Sequence, residues 1–273
     1  MPFLSVDDAN LYYECTGALG SSAVVFVHGS WGDHHDWDAV IPFLSDLQLV
    51  SYDRRGHSQS SRVGRSGDVS QDAADLAALI ESLELAPAHV VGHSFGAAVG
   101  LRLAADRPAL VRSLFIHEAP LFGLLTDGDE AEMRDGIERS LAAVRTLLSE
   151  DRMEEGARHF LETVAFEPRT WERMPTAVRE IWISNAPAVL DQLQDLSWAT
   201  PDLREVARSP VPIMPTKGDR SPEWEQRVMD HLSEALLHRE PSLIAGVGHA
   251  PHLSQPEQFA AILRSFLESV TDL

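Results

Sequence analysis

Gly92-His93-Ser94-Phe95-Gly96 is the part of this sequence best suited to covalent chemistry. It follows the β-branched run ending His89-Val90-Val91 and leads into Ala97-Ala98-Val99-Gly100-Leu101, so the pattern reads strand, tight turn, helix. The glycines permit a turn sharp enough to lift the Ser94 hydroxyl clear of its strand, and the N–H groups that open the helix favour negative charge beside it. The bland alternative, a glycine-rich turn whose serine merely caps the helix, accounts less well for these flanks. Serine is a weak nucleophile until a base takes its proton, so a histidine must arrive from elsewhere in the chain. His249, in Gly246-Val247-Gly248-His249, is the best candidate: it lies in a glycine-bracketed loop between the last strand and the final helix and can reach over the carboxyl edge of a sheet. His252 reads as a helix-entry or surface residue, and His93 points elsewhere if Ser94 occupies the tip of the turn. Asp33, His34, His35 and Asp36 resemble a metal cluster, but ligands bunched on one loop rarely close a coordination sphere. No metal and no cofactor are expected.

Those side chains need a frame that brings them together. Short apolar runs at Ala23–His28, Gln48–Tyr52, Ala88–Gly92 and Val111–His117 alternate with helical spacing over Asp36–Leu44, Val69–Leu83 and Gly96–Asp106. Continuous apolar strands such as Val24-Val25-Phe26-Val27 suit a parallel sheet covered on both faces, while Phe3–Val6 and Leu11–Cys15 read as an antiparallel edge. From Phe122 to Arg208 strand signals stop, and the chain reads as helices broken at Pro168, Pro175, Pro187 and Pro201. Sheet-like sequence resumes at Val211-Pro212-Ile213-Met214, followed by a helix over Pro222–Leu232, a strand over Ser242–Ile244 and a closing helix over Pro256–Leu267. The expected organisation is a core domain of residues 1–121 and 209–273 with a helical cap, 122–208, inserted into it.

Composition narrows the function classes. The 273 residues, 44% apolar, are enough for one large core, and a formal charge of -20 repels phosphate backbones and anionic membranes. Nucleic-acid and membrane partners are therefore not expected. One cysteine, Cys15, cannot form an internal disulfide, and the N-terminal run is followed at once by Asp7 and Asp8, unlike a signal peptide. A cytoplasmic protein, compatible with a homo-oligomer, is the expectation.

The Gly92–Gly96 turn, together with His28-Gly29-Ser30-Trp31, Asp53-Arg54-Arg55-Gly56-His57-Ser58 and Gly248-His249, resembles the α/β-hydrolase family over nearly the whole chain. The resemblance implies a mostly parallel eight-stranded sheet with helices on both faces. It also implies an oxyanion hole formed by the backbone N–H groups of Ser30 and Phe95, which meets the physical need for fixed donors where charge develops on oxygen. In much of that family the triad acid is an aspartate three residues beyond a glycine after the seventh strand; here that slot, counted from Gly218, holds Ser221. Two candidates remain, Asp219 and Glu118 of Ile116-His117-Glu118-Ala119-Pro120. Glu118 is preferred because it ends the strand beside the one that delivers Ser94, where functional groups of such sheets gather. A glutamate in that His-Glu-x-Pro setting resembles the zearalenone-type lactone hydrolases.

The reading is a serine hydrolase that cleaves an ester or lactone of a small, largely apolar molecule, with Ser94, His249 and Glu118 in a hydrogen-bonded row. Trp31, Phe122 and Trp182 are the expected substrate contacts. Carbon–carbon bond hydrolysis, cofactor-free perhydrolase or haloperoxidase activity, and a catalytically silent ligand receptor are the rival readings.

Overall fold

A computed structural model describes residues 2–62, 68–236 and 241–271. The strands are β1 (Phe3–Val6), β2 (Ala9–Gly17), β3 (Ala23–Val27), β4 (Gln48–Tyr52), β5 (Ala88–His93), β6 (Val111–His117), β7 (Ile213–Gly218) and β8 (Ser242–Ile244). They form one sheet in the order β1-β2-β4-β3-β5-β6-β7-β8, in which β2 pairs antiparallel with both β1 and β4 and every other pair is parallel. This is the α/β-hydrolase fold. Alternate residues of the central strands serve opposite faces. Val24, Phe26, Val91 and Phe115 pack with Trp37, Phe259 and Leu263 on one face. Val25, Val27, Val90, Leu114 and Ile116 pack on the other, against helices α1 (Val69–Ser82) and α2 (Phe95–Asp106). Both faces are thus covered, as the unbroken apolar runs require.

Between β6 and β7 the described elements are all helical: α3 (Gly128–Ser149), α4 (Met153–Phe160) running into a π-helical turn at Leu161–Ala165, α5 (Thr170–Arg173), α6 (Thr176–Gln192) and α7 (Leu203–Arg208), with 3-10 turns at Phe122–Leu124 and Ser197–Ala199. After β7 come α8 (Glu223–Ala235), α9 (Pro251–Ser254) and α10 (Pro256–Thr271). Two expectations differ from this arrangement. The helix expected over Asp36–Leu44 is two 3-10 turns, His34–Trp37 and Ile41–Leu44. Asp33 caps the first, and Pro42 has no N–H with which to bond back to Asp38 and join them. Pro187 does not break a helix but lies inside α6. An interior proline costs about 3 kcal/mol; burial of Ala186, Ala188, Val189 and Asn185 on that helix offsets it.

Candidate active site

Ser94 sits between β5 and α2 with φ 52° and ψ -121°, a conformation that costs a non-glycine residue about 1–3 kcal/mol. Its surroundings hold it there. The Ser94 N–H donates to the His117 carbonyl at 2.9 Å, and Gly92 and Gly96 let the chain pass closely: a Cβ at Gly96 would lie 2.2 Å from the Val27 oxygen, and one at Gly92 2.5 Å from the Gly96 oxygen. Phe95 is the first residue of α2, whose opening N–H groups have no partner within the helix. Its ring packs away from the site under the Arg54 guanidinium, so only its backbone is available to a substrate. Ser30 is buried beside Ser94, with its hydroxyl accepting from Gln192 Nε2 at 2.9 Å. His28 is structural: its Nε2 accepts the Arg54 N–H at 2.9 Å.

His249 Nδ1 lies 2.8 Å from Glu118 Oε2, linking the loop after β8 to the end of β6. Glu118 is fully buried, and its backbone, at φ 48°, is also in the left-handed region. Its other oxygen accepts from the Gly218 N–H at 2.8 Å and from the Ser221 hydroxyl. The serine in the slot after β7 therefore supports the glutamate. Burial alone would raise the Glu118 carboxyl, but His117 and the His249 hydrogen bond lower it further, and it is held well below the usual carboxylate range. Asp219 is exposed and accepts the Gly246 N–H at 2.7 Å, shaping the loop rather than touching the imidazole. Ser94 and His249 line the same two cavities, yet among the described residues no direct hydrogen bond joins them. The row expected from the sequence is thus formed at its imidazole–carboxylate end and open at its hydroxyl end. Catalytic hydrogen bonds commonly tighten only when substrate binds.

A second carboxyl approaches the same nitrogen. Glu225, in the first turn of α8, lies with Oε1 3.0 Å from His249 Nδ1 and is 2% exposed. Nothing in the sequence reading identified it. A signal was present: Glu225, Val228, Met229 and Leu232 share the buried face of α8, and an acid on such a stripe is out of place. Burial pushes His249 down, but the carboxyls of Glu225 and Glu118 beside it push it up further, above its ordinary value. Burial drives Glu225 well above its ordinary value, opposed by His249 and reinforced by Glu118. Three further histidines crowd the site. His93 Nε2 meets the His249 carbonyl at 2.8 Å, steadying the loop, and His252 is buried between Trp37 and His93 rather than at the surface. Burial holds His93 and His252 well below the usual value and His117 down to about 4.

Two cavities meet at Ser94, Ser30 and His249. The larger, about 790 Å³, is a mainly apolar groove that includes Trp31, Phe160, Phe166, Met174, Val178 and Trp182. The smaller, about 20 Å³, lies among Phe122, Leu141, Val189, Leu193 and Trp198. Of the expected substrate contacts, Trp31 and Trp182 stack in the groove with centroids 5.3 Å apart, and Phe122 lines the small chamber edge-on to Trp198. Asn185 of α6 ties the helical segment down: its amide donates to the Trp31 and Gly32 carbonyls at 3.1 and 2.9 Å and accepts the Ser58 N–H at 2.7 Å. A separate cleft of about 360 Å³, bordered by Val206, Ile213 and Phe266, is lined by no histidine or carboxylate among the described residues. Asp33, His34 and Asp53 converge closely, but the carboxylate oxygens already accept from the His35 N–H, the Ser58 hydroxyl, the Gln59 N–H and His34, and only His34 Nε2 is left without a hydrogen-bond partner.

Comparison with known proteins is consistent with this architecture. The chain is 28% identical over 279 aligned residues, 97% of each chain, to pyrrolizixenacetamide deacetylase of Xenorhabdus hominickii. It is 31% identical over 153 residues to the non-heme chloroperoxidase of Burkholderia pyrrocinia, an alignment that spans only 52% of this chain and 55% of that one. In three dimensions it is similar to the enol-lactonase of Burkholderia xenovorans LB400, with a TM-score of 0.79, 18% identity and coverage of 98% and 100%, a likeness of fold alone. Residues 24–262 match the Alpha/beta hydrolase family, and the chain belongs to that family.

Proposed function

We propose that this protein is a serine hydrolase that cleaves a carboxylic ester or lactone of a small, largely apolar molecule through an acyl-enzyme. The observation that carries the reading is the meeting, at two joined cavities, of a serine on a strained turn with an imidazole whose far nitrogen is held by a buried carboxylate. Ser94 Oγ attacks the carbonyl carbon as His249 Nε2 takes its proton. The N–H groups of Ser30 and Phe95 receive the developing oxyanion. His249 then protonates the leaving oxygen, and water, activated by the same imidazole, releases the acid. Glu118 keeps the imidazole in one tautomer and stabilises its charged form. Residues 122–208 act as a cap, and Trp31 and Trp182 grip the larger half of the substrate while Phe122 bounds the smaller.

The glutamate at the end of β6 resembles that of zearalenone-type lactone hydrolases and directs the first assays to lactones as well as aliphatic esters. Similarity to a chloroperoxidase supports a second reading, in which hydrogen peroxide replaces water at the acyl-enzyme and a peracid is released. The test is a panel of esters, lactones and macrolactones assayed with wild type and Ser94→Ala, alongside fluorophosphonate labelling. Turnover confined to wild type, with label on Ser94, is the expected result. Activity that survives Ser94→Ala, or peracid formation that outpaces hydrolysis, would replace it.

A further inference from the structure

His249 Nδ1 carries one hydrogen toward the protein interior, yet two carboxyl oxygens face it, Glu118 Oε2 at 2.8 Å and Glu225 Oε1 at 3.0 Å. Both side chains are buried, at 0% and 2% exposure, and among the described residues no lysine or arginine joins them to balance a second charge. Two carboxylates crowded so closely cannot both ionise cheaply; one keeps a proton. Their surroundings decide which. Glu118 receives three donors: the Gly218 N–H, the Ser221 hydroxyl and the imidazole. Glu225 meets the imidazole and the Glu118 carboxyl, which it can approach only as a hydrogen-bond donor, and its Oε2 is buried without an N–H or hydroxyl donor, although it lies in the first turn of a helix. The charge belongs on Glu118.

We propose that Glu225 is a positioning residue held as a neutral carboxylic acid beside the Glu118 carboxylate, so that His249 faces one negative charge and stays free to accept the Ser94 proton. This deepens the preceding reading and rests on His249 being its base. Were both carboxyls charged, the imidazole would hold its proton at neutral pH and Ser94 would have no base. The titratable groups facing Glu225 are Glu118 at the end of β6 and His249 after β8, with His117 behind Glu118. The helical segment adds only residues such as Val164, Leu193 and Trp198 to the same chamber.

Carbon-13 carboxyl spectra of the wild type should show one glutamate still protonated at neutral pH, absent from Glu225→Gln. Nitrogen-15 histidine titration, together with the acid limb of kcat/KM for a p-nitrophenyl ester, reads His249. Glutamine is also neutral and still donates to Glu118, so Glu225→Gln should move the His249 midpoint by less than about half a unit. Glu225→Met removes the donor, makes Glu118 more basic and should move the midpoint upward. A charged Glu225 predicts the opposite sign: either variant would lower the midpoint by about 1–3 units. That fall, a wild type with every glutamate ionised at neutral pH, or a midpoint that neither variant moves would overturn the proposal. The spectra need no substrate, so a protonated Glu225 in a protein inert toward all esters would count against the hydrolase reading and not against this one.

Discussion

The strand ends and the helical segment above them hold the site in different ways. At the carboxyl edge of the sheet, Ser94 and Glu118 occupy strained backbone conformations fixed by buried hydrogen bonds, and glycines at 92 and 96 leave no room for adjustment. The segment from Phe122 to Arg208 meets the site mainly through apolar side chains, tethered by a few amides such as Asn185 and Gln192. The difference separates two tasks. On the proposed function, placing a nucleophile and base requires fractions of an ångström, which a packed sheet supplies. Accepting one substrate and rejecting another requires shape, and helices contacting through apolar surface can change shape without disturbing the chemistry.

This contrast can be broken at several points. Ser94→Ala and His249→Ala should each lower kcat for p-nitrophenyl acetate by about 10⁴-fold or more, measured in the steady state. Glu118→Gln should cost about 10²–10⁴-fold by releasing the imidazole, while Asp219→Asn stays within about threefold; the reverse order would transfer the acid role to Asp219. Asn185→Ala should lower unfolding free energy in urea by about 1–3 kcal/mol, because it strands the Ser58 N–H and two carbonyls, and should raise KM by loosening α6. Smallest of all, Trp182→Ala should raise KM for bulky esters by about three- to tenfold with kcat nearly unchanged, the mark of lost uniform binding. If Trp182→Ala instead lowered kcat as steeply as Glu118→Gln, the helical segment would share in the chemistry and the division would fail.

Much of this was legible along the chain because it rests on local rules. The Ser94 turn shows itself in five consecutive residues, Gly92 to Gly96, and the strands reveal themselves as apolar runs because both faces of the sheet are covered. Glu118 could be preferred over Asp219 from its place at a strand end. The segment around Pro187 was misread because local propensity argues for a break, whereas burial of the surrounding residues sustains the helix. His252 does enter a helix, α9, but not at the surface, and nothing local reveals that Trp37 and His93 enclose it.

By itself the sequence determined the turn that presents Ser94, the strand-loop-helix order that brings His249 over the sheet and the absence of an aspartate in the slot after β7, since each depends on residues near in the chain. Only the tertiary structure decided that Ser221 fills that slot as a donor to Glu118, that Asp219 turns to Gly246, and that Glu225 joins Glu118 against one imidazole nitrogen. Those choices depend on how elements 27 to 103 residues apart in the chain pack, and burial decides there which carboxyl can carry a charge.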